Sequence, residues 1–429
     1  MHKFSVEKIF LCAKVRRNNT DKTKMYDVYE IKKEFPLLNK EINGKKIFYL
    51  DTSASAQKPR CVIDKMLQIY ESEYANPHRG AYYLADRITS EYEAAREIVR
   101  QFINAESVKE IVFTRNATES INLVASSWGM ANLKAGDEVL ISEAEHHANL
   151  VPWQQICLKT GAKLQVFKVT DSGDFDEEDF TSKLSEKTKM LAISAMSNVL
   201  GSVFPVKEFC KKAKKYGALT LVDACQFAVH QKIDVADFDC DFLAFSGHKT
   251  YGPTGIGVLY GKENILRTLP AYQFGGDMVD SVSFERTTFA DIPARFEAGT
   301  PASVQAIGLG EALKYMQKIG QDNILAHENE LVKYALECFD ELDGMKIIGT
   351  SKNRGGVFCF DYKGIHPADL SFVLNKENVF IRIGHHCAQP IVNRMGYSSL
   401  ARASFGIYTA KEDVDELVGA LKKAAKFFI

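Results

Sequence analysis

Six apolar, β-branched runs begin at residues 111, 138, 163, 189, 218 and 241, and the intervals between them are 23 to 29 residues. An interval of that size holds one strand and one helix. The intervening segments carry helical patterns, such as Ile121, Val124, Ala125 and Trp128 on one face, so the rhythm predicts an α/β fold with a largely parallel sheet flanked by helices on both sides. One connection breaks it. In "DFLAFSGHKTYGPTGIGVLYG" (residues 241–261) only "KTYGPT" separates two apolar runs, and a parallel crossover needs about a dozen residues. The seventh strand is therefore expected to run antiparallel. Ligands of open α/β sheets gather outside the carboxyl ends of the strands, so the polar residues there are the first candidates for function.

A sheet of that size needs a large core, and 46% hydrophobic residues in a chain of 429 with net charge -1 supply one. The balanced charge leaves no footprint for nucleic acid, and the basic cluster at 207–217 reads as the solvated face of a helix. No window reaches the roughly 18 uninterrupted apolar residues of a membrane span, and the N-terminus has no secretory cleavage pattern. The nine cysteines are scattered and mostly apolar in context, as expected of reduced thiols in a cytoplasmic protein.

Several polar groups close the strands. After "IVFT" comes "RNATES" (115–120), which opens a helix whose free N–H groups suit an anion such as phosphate, or form an ordinary N-cap on Asn116 or Thr118. After "EVLIS" come His146 and His147. Neighbours on one helix cannot converge on a single metal ion, but either ring could cover a flat ligand. Asn198, then Asp223 and Gln226, follow the next two strands, and Ser246, His248 and Lys249 follow "DFLAF". Singly, Asp223 and Lys249 are each better explained by a salt bridge or a solvated loop. Together with a phosphate-ready helix start they suit pyridoxal phosphate, with the lysine amine condensing with the aldehyde and the carboxylate holding the ring nitrogen protonated.

The C-terminal third adds a thiol. "NVFIRIGHHCAQP" (378–390) reads as a strand opening into a short loop that carries His385, His386 and Cys387. Two adjacent imidazoles would favour the thiolate, while an inert thiol, half of a metal site or a loop cysteine without a role remain open. Arg402 in "LARASFGIY" offers a fork for a carboxylate or a structural ion pair.

From about Tyr26 to its C-terminus the sequence resembles the cysteine desulfurases of the Suf-type, or group II, branch of the class V aminotransferases. The resemblance rests on "YLDTSASAQKP", "TRNATESINLVA", "SEAEHHANLVPWQ", "SNVLGSV", "VDACQ", "FSGHKTYGPTGIGVLYG", "FEAGTP" and "RIGHHCAQP". It implies the fold type I architecture of pyridoxal phosphate enzymes, with a seven-stranded, mostly parallel sheet in a large domain (39–315) and a smaller α+β domain (25–38 with 316–429). Residues 1–24 have no counterpart and are expected to be a disordered extension or the product of an upstream start.

The resemblance also implies roles. Lys249 carries the cofactor and shuttles the substrate's Cα proton, Asp223 partners the ring nitrogen, Gln226 the ring hydroxyl, and His146 stacks on the ring. Thr118, Ser246 and His248 bind the phosphate, with Glu119 beside them and Thr300 reaching in from the other subunit of a homodimer. Asn198, Arg402, Arg382 and His78 hold the substrate, and Cys387 is the nucleophile. The implied reaction converts L-cysteine to L-alanine and leaves a persulfide on Cys387, for a SufE-like or SufU-like acceptor in iron-sulfur cluster assembly. Selenocysteine is a second implied substrate, and no metal is expected. Tyr82 and Tyr83 stand where relatives often carry smaller or polar residues, which leaves substrate preference there open.

Two rivals compete with this reading. One is an aminotransferase or β-lyase in which Cys387 is a bystander, which a Cys387→Ala variant with full cysteine turnover would establish. The other is a non-catalytic scaffold that carries pyridoxal phosphate without releasing alanine. A nucleotide-binding α/β protein is the weakest rival, because "GPTGIG" lies between two strands instead of opening a helix.

Overall fold

The computed structural model describes residues 26–429 apart from Arg79, so the expected extension at 1–24 lies outside the described residues. The seven apolar runs form one sheet: β1 (Ile111–Thr114), β2 (Glu138–Ser142), β3 (Lys163–Phe167), β4 (Thr188–Ser194), β5 (Leu219–Asp223), β6 (Phe242–Ser246) and β7 (Gly257–Gly261). Their spatial order is β1-β7-β6-β5-β4-β2-β3. Neighbours among β2 to β6 pair parallel, and β7 runs antiparallel to both β6 and β1. The short connector forces that reversal, as its length requires.

Burial on both faces explains the unbroken apolar character of these strands. Phe242, Leu243, Ala244 and Phe245 of β6 have no exposed surface. Each large side chain of this kind contributes about 1.5–3 kcal/mol on burial. One face is covered by α1 (Tyr83–Phe102) and α4 (Ser303–Ile319), the other by α2 (Ala117–Val124) and α3 (His147–Thr160). The helical face read from Ile121 to Trp128 is real, although the helix widens into a π-turn over Ala125–Gly129.

A second sheet, antiparallel, comprises β8 (Met345–Ile348), β9 (Val357–Tyr362), β10 (Arg382–Gly384) and β11 (Leu400–Ser404) in the order β8-β9-β11-β10. One face packs under α5 (Gln321–Asp340) and α7 (Lys411–Phe428), with α6 (Gln389–Arg394) beside the other. The segment after Phe48–Tyr49, which pairs parallel with Val379–Phe380, crosses between the two sheets, and Asp51 bridges to Ser404 at the end of β11. The carboxyl ends of β1, β2, β4, β5 and β6 thus face the strands that bear Arg382 and Arg402.

Candidate active site

A cavity of about 550 Å³ opens between the two sheets, at the carboxyl ends of the parallel strands. Gly257 admits the first of its walls. A Cβ there would lie 2.4 Å from the Asn116 carbonyl carbon, so only glycine lets the start of α2 settle on β7. Asn116 caps that helix by accepting from the Glu119 N–H at 2.9 Å, and the Ala117 N–H donates to Ser246 Oγ at 2.9 Å. The helix start, Thr118, Ser246 and His248 line the cavity together and present an anion-binding donor set.

His146, Asp223, Gln226 and Lys249 also line the cavity. His146 caps α3, its Nδ1 accepting from the Ala148 N–H at 3.0 Å. Burial, reinforced by Lys249, pushes this imidazole down to about 4. It is therefore neutral at pH 7 with its proton on Nε2, an uncharged ring suited to cover a flat ligand. Burial with the help of Lys249 and Lys58 holds His248 at about 4 as well. The buried Asp223 accepts from the Cys225 N–H at 2.9 Å. Gln226 donates to the Ser53 carbonyl at 2.9 Å, which leaves its buried Oε1 without a partner.

A third group of lining residues comes from the small sheet and its loops. Arg402 on β11 is 3% exposed, donates to the Asn198 carbonyl at 3.0 Å, lies 3.5 Å from Asp51, and has an unpartnered Nε. Asn198 donates in turn to the His386 carbonyl at 2.6 Å. Arg382 grips Asp51 two-pronged, with contacts down to 2.8 Å. Cys387 stands exposed at the cavity wall on a loop where it and His386 both adopt left-handed backbone, with φ of 56° and 54°. Consecutive non-glycine residues in that region store strain of a kind that clusters at functional loops.

The electropositive setting expected from the two histidines takes a different form. His386 turns inward, its Nε2 facing the Leu400 carbonyl at 3.1 Å, and burial with Arg402 nearby pushes it to about 3. It carries no charge at neutral pH. The positive charge along this wall comes from Arg382 and Arg402.

Three expected residues lie elsewhere within this chain. The Glu119 carboxylate is engaged by the Arg115 N–H, Tyr272 Oη at 3.0 Å and Gln273 Nε2 at 3.2 Å, away from the cavity. Thr300 joins it at a separate cavity of about 280 Å³. His78 pairs with Glu93 at 3.4 Å and packs edge-on against Tyr92, and that carboxylate raises its pKa. Conversely, no separate sequence signal marks Asp51, Ser53, Ser194 or Cys225, which belong to the site or its supports. Their common clue is that each closes or follows a short strand or strand end.

Among the described residues, four that line this cavity, Ser53, Gln226, His386 and Arg402, keep a buried polar atom without a partner. An unpaired acceptor on Gln226, an unpaired donor on Arg402, a carboxylate, an amine and an anion-ready helix start fit a phosphorylated aldehyde with a ring hydroxyl and ring nitrogen, next to a substrate carboxylate. Pyridoxal phosphate meets every one of these demands.

The comparisons agree. Residues 48–417 match the aminotransferase class-V family. A probable cysteine desulfurase of Halalkalibacterium halodurans is 46% identical over 402 residues, covering 94% of this chain and 99% of that protein. Among solved structures, a cysteine desulfurase of Escherichia coli in its S-sulfonic acid form superposes with a TM-score of 0.88 at 36% identity, covering 94% of this chain and all of that one. The apo cysteine desulfurase of Thermococcus onnurineus gives 0.89 at 38% identity, covering 93% and 98%.

Proposed function

The chain belongs to the cysteine desulfurases of the class-V aminotransferase family, and from that premise we propose that it removes sulfur from L-cysteine, releasing L-alanine and leaving a persulfide on Cys387. Pyridoxal phosphate is its cofactor. When bound, it supplies an aldehyde that takes the substrate amine and a ring that stabilises negative charge at the substrate's Cα.

The chain's own residues do the rest. Lys249 would hold the cofactor through its amine and, when that amine is free, would move the Cα proton. Asp223 would keep the ring nitrogen protonated, Gln226 would meet the ring hydroxyl, and the neutral His146 would cover the ring without adding charge. Thr118, Ser246 and His248 carry the phosphate. Arg402 uses its free Nε edge, with Asn198 beside it, to orient the substrate carboxylate, and Arg382 holds the neighbouring Asp51. Cys387 Sγ then attacks the substrate sulfur. The S–S bond forms as the C–S bond breaks, the electron pair goes to Cβ, and protonation of Cβ with return of the proton from Lys249 to Cα gives alanine.

The observation that carries this reading is the meeting of Lys249, Arg402 and the exposed Cys387 on one cavity. Borohydride reduction of the protein after addition of pyridoxal phosphate tests its first half: a stable pyridoxyl group on Lys249 is expected, and labelling elsewhere or none contradicts it.

The finer assignments belong to the same proposal. The short loop limits the reach of Cys387, so sulfur leaves through an acceptor of the SufE or SufU kind that brings its own thiol, and the product feeds iron-sulfur cluster assembly. The enzyme works as a homodimer with Thr300 completing the partner's phosphate site, and selenocysteine serves as a second substrate. Among the described residues no helix is long and apolar enough to cross a membrane, which accords with a cytoplasmic enzyme.

A further inference from the structure

The peptide group just before Lys249 is held by an unusual number of donors. The His248 carbonyl accepts from the Ala56 N–H at 3.0 Å, from Ser55 Oγ at 3.3 Å and from Lys58 Nζ at 2.9 Å. All three come from one segment, which continues to Asp51 and its two arginines through Ser53, where the N–H donates to Ser404 Oγ at 2.9 Å and the carbonyl receives Gln226. Lys58 is the only one of the three donors that carries charge. Its ammonium donates to the Ala56 and His248 carbonyls, and no carboxylate of the described residues pairs with it.

A half-buried ammonium bound only by carbonyls is costly to keep. Burial pulls it down to about 8, so it remains mostly protonated at pH 7. Its field is felt at His248, whose imidazole it helps keep neutral. That imidazole belongs to the anion-binding wall with Ser246 and Thr118. An unneutralised cation behind a neutral anion-binding wall has an evident use: its missing counter-charge is the anion itself.

We propose that Lys58 is a positioning residue for the anionic end of the cofactor, holding the His248–Lys249 peptide in place and supplying the positive charge that the phosphate balances. This rests on the reading that Ser246, His248 and Lys249 carry pyridoxal phosphate. Lys58 stands behind the wall that meets the phosphate, and acts through the His248 peptide and through its field.

The test compares two ligands on the cofactor-free full-length protein, pyridoxal phosphate and pyridoxal, which share the aldehyde and differ in the anion. Binding is followed by the visible absorbance of the adduct. Lys58→Gln retains donors and loses the charge; Lys58→Arg retains both. For Lys58→Gln the affinity for pyridoxal phosphate is expected to fall by about tenfold or more while that for pyridoxal changes by less than about twofold, and Lys58→Arg should recover most of the loss. Unchanged affinity for pyridoxal phosphate in Lys58→Gln would overturn the proposal, and so would an equal loss for both ligands, which would make Lys58 a support for Lys249 alone. If Lys58→Gln is isolated unfolded, the Lys58→Arg protein and the wild type decide the matter through salt: the proposal requires binding of pyridoxal phosphate to weaken with ionic strength more steeply than binding of pyridoxal, and parallel salt dependence overturns it. Failure of the wild type to bind pyridoxal phosphate would instead indict the assignment of the site.

Discussion

The backbone N–H of His147 donates to the carbonyl of Cys387 over 2.7 Å, so the first residue of α3 pins the loop that bears this exposed thiol. The His147 imidazole doubles the link, its Nε2 accepting from the Gln389 N–H at 3.1 Å. Position 147 is also one where proline is tolerated, because it opens the helix and His146 before it has extended backbone (φ -61°, ψ 148°). His147→Pro should therefore fold, as judged by circular dichroism, yet free the loop. Alanine release is expected to fall by about 10–100-fold through lost alignment of the thiol, and wild-type turnover would show that the pin is dispensable.

Arg402 is buried, lines the cavity and has an unpartnered Nε. Lysine keeps the charge but loses the planar fork. In Arg402→Lys, kcat/KM for L-cysteine should drop by roughly 10²-fold, chiefly through KM. Steady-state kinetics check it, and an unchanged KM would hand the substrate carboxylate to Arg382.

Buried titrating groups of opposite sense surround the site. His146 and His248 lie at about 4 and His386 at about 3, against about 6.5 for free histidine. Between those values the unfolded chain binds protons that the folded chain refuses, so these three lower stability as pH falls. Glu145 does the reverse. Fully buried and receiving Ser142, Asn149 and Ser194, it is raised by burial to about 7, so from about pH 7 down to 4.5 the folded chain gains a proton the unfolded chain does not. Glu145→Gln removes only the second effect. In urea denaturation of the cofactor-free protein between about pH 5 and 6.5, its stability should rise with pH more steeply than the wild type's by up to about 1.4 kcal/mol per pH unit. Parallel curves would mean that Glu145 is ionised throughout.

The sheet was legible because its signal is local and repeated: apolar runs at βα spacing, and one connector too short to cross over. Strand ends then located Asp223, Lys249, Asn198 and the helix start at Asn116 without any tertiary information. What escaped depends on long-range pairing. Asp51 matters because two arginines more than 300 residues away converge on it, and Lys58 because a carbonyl 190 residues distant folds over it. No periodicity announces either. Glu119, expected beside the phosphate ligands, instead turns its carboxylate to Tyr272 and Gln273, while Asn116 takes the cap of α2. The charge expected of His386 was likewise lost to burial.

Cys387 tests the whole scheme because it is exposed and outside the core. Its replacement by alanine should leave stability within about 0.5 kcal/mol and the uptake of pyridoxal phosphate intact, so any loss of desulfuration belongs to the thiol. The decisive measurement is the mass of the peptide bearing Cys387 after incubation with L-cysteine in the absence of reductant, taken together with the alanine released. The account predicts one added sulfur atom on Cys387 for each alanine in the first turnover, and neither product from Cys387→Ala. Undiminished alanine release by Cys387→Ala, or alanine without sulfur on Cys387 in the wild type, would contradict it.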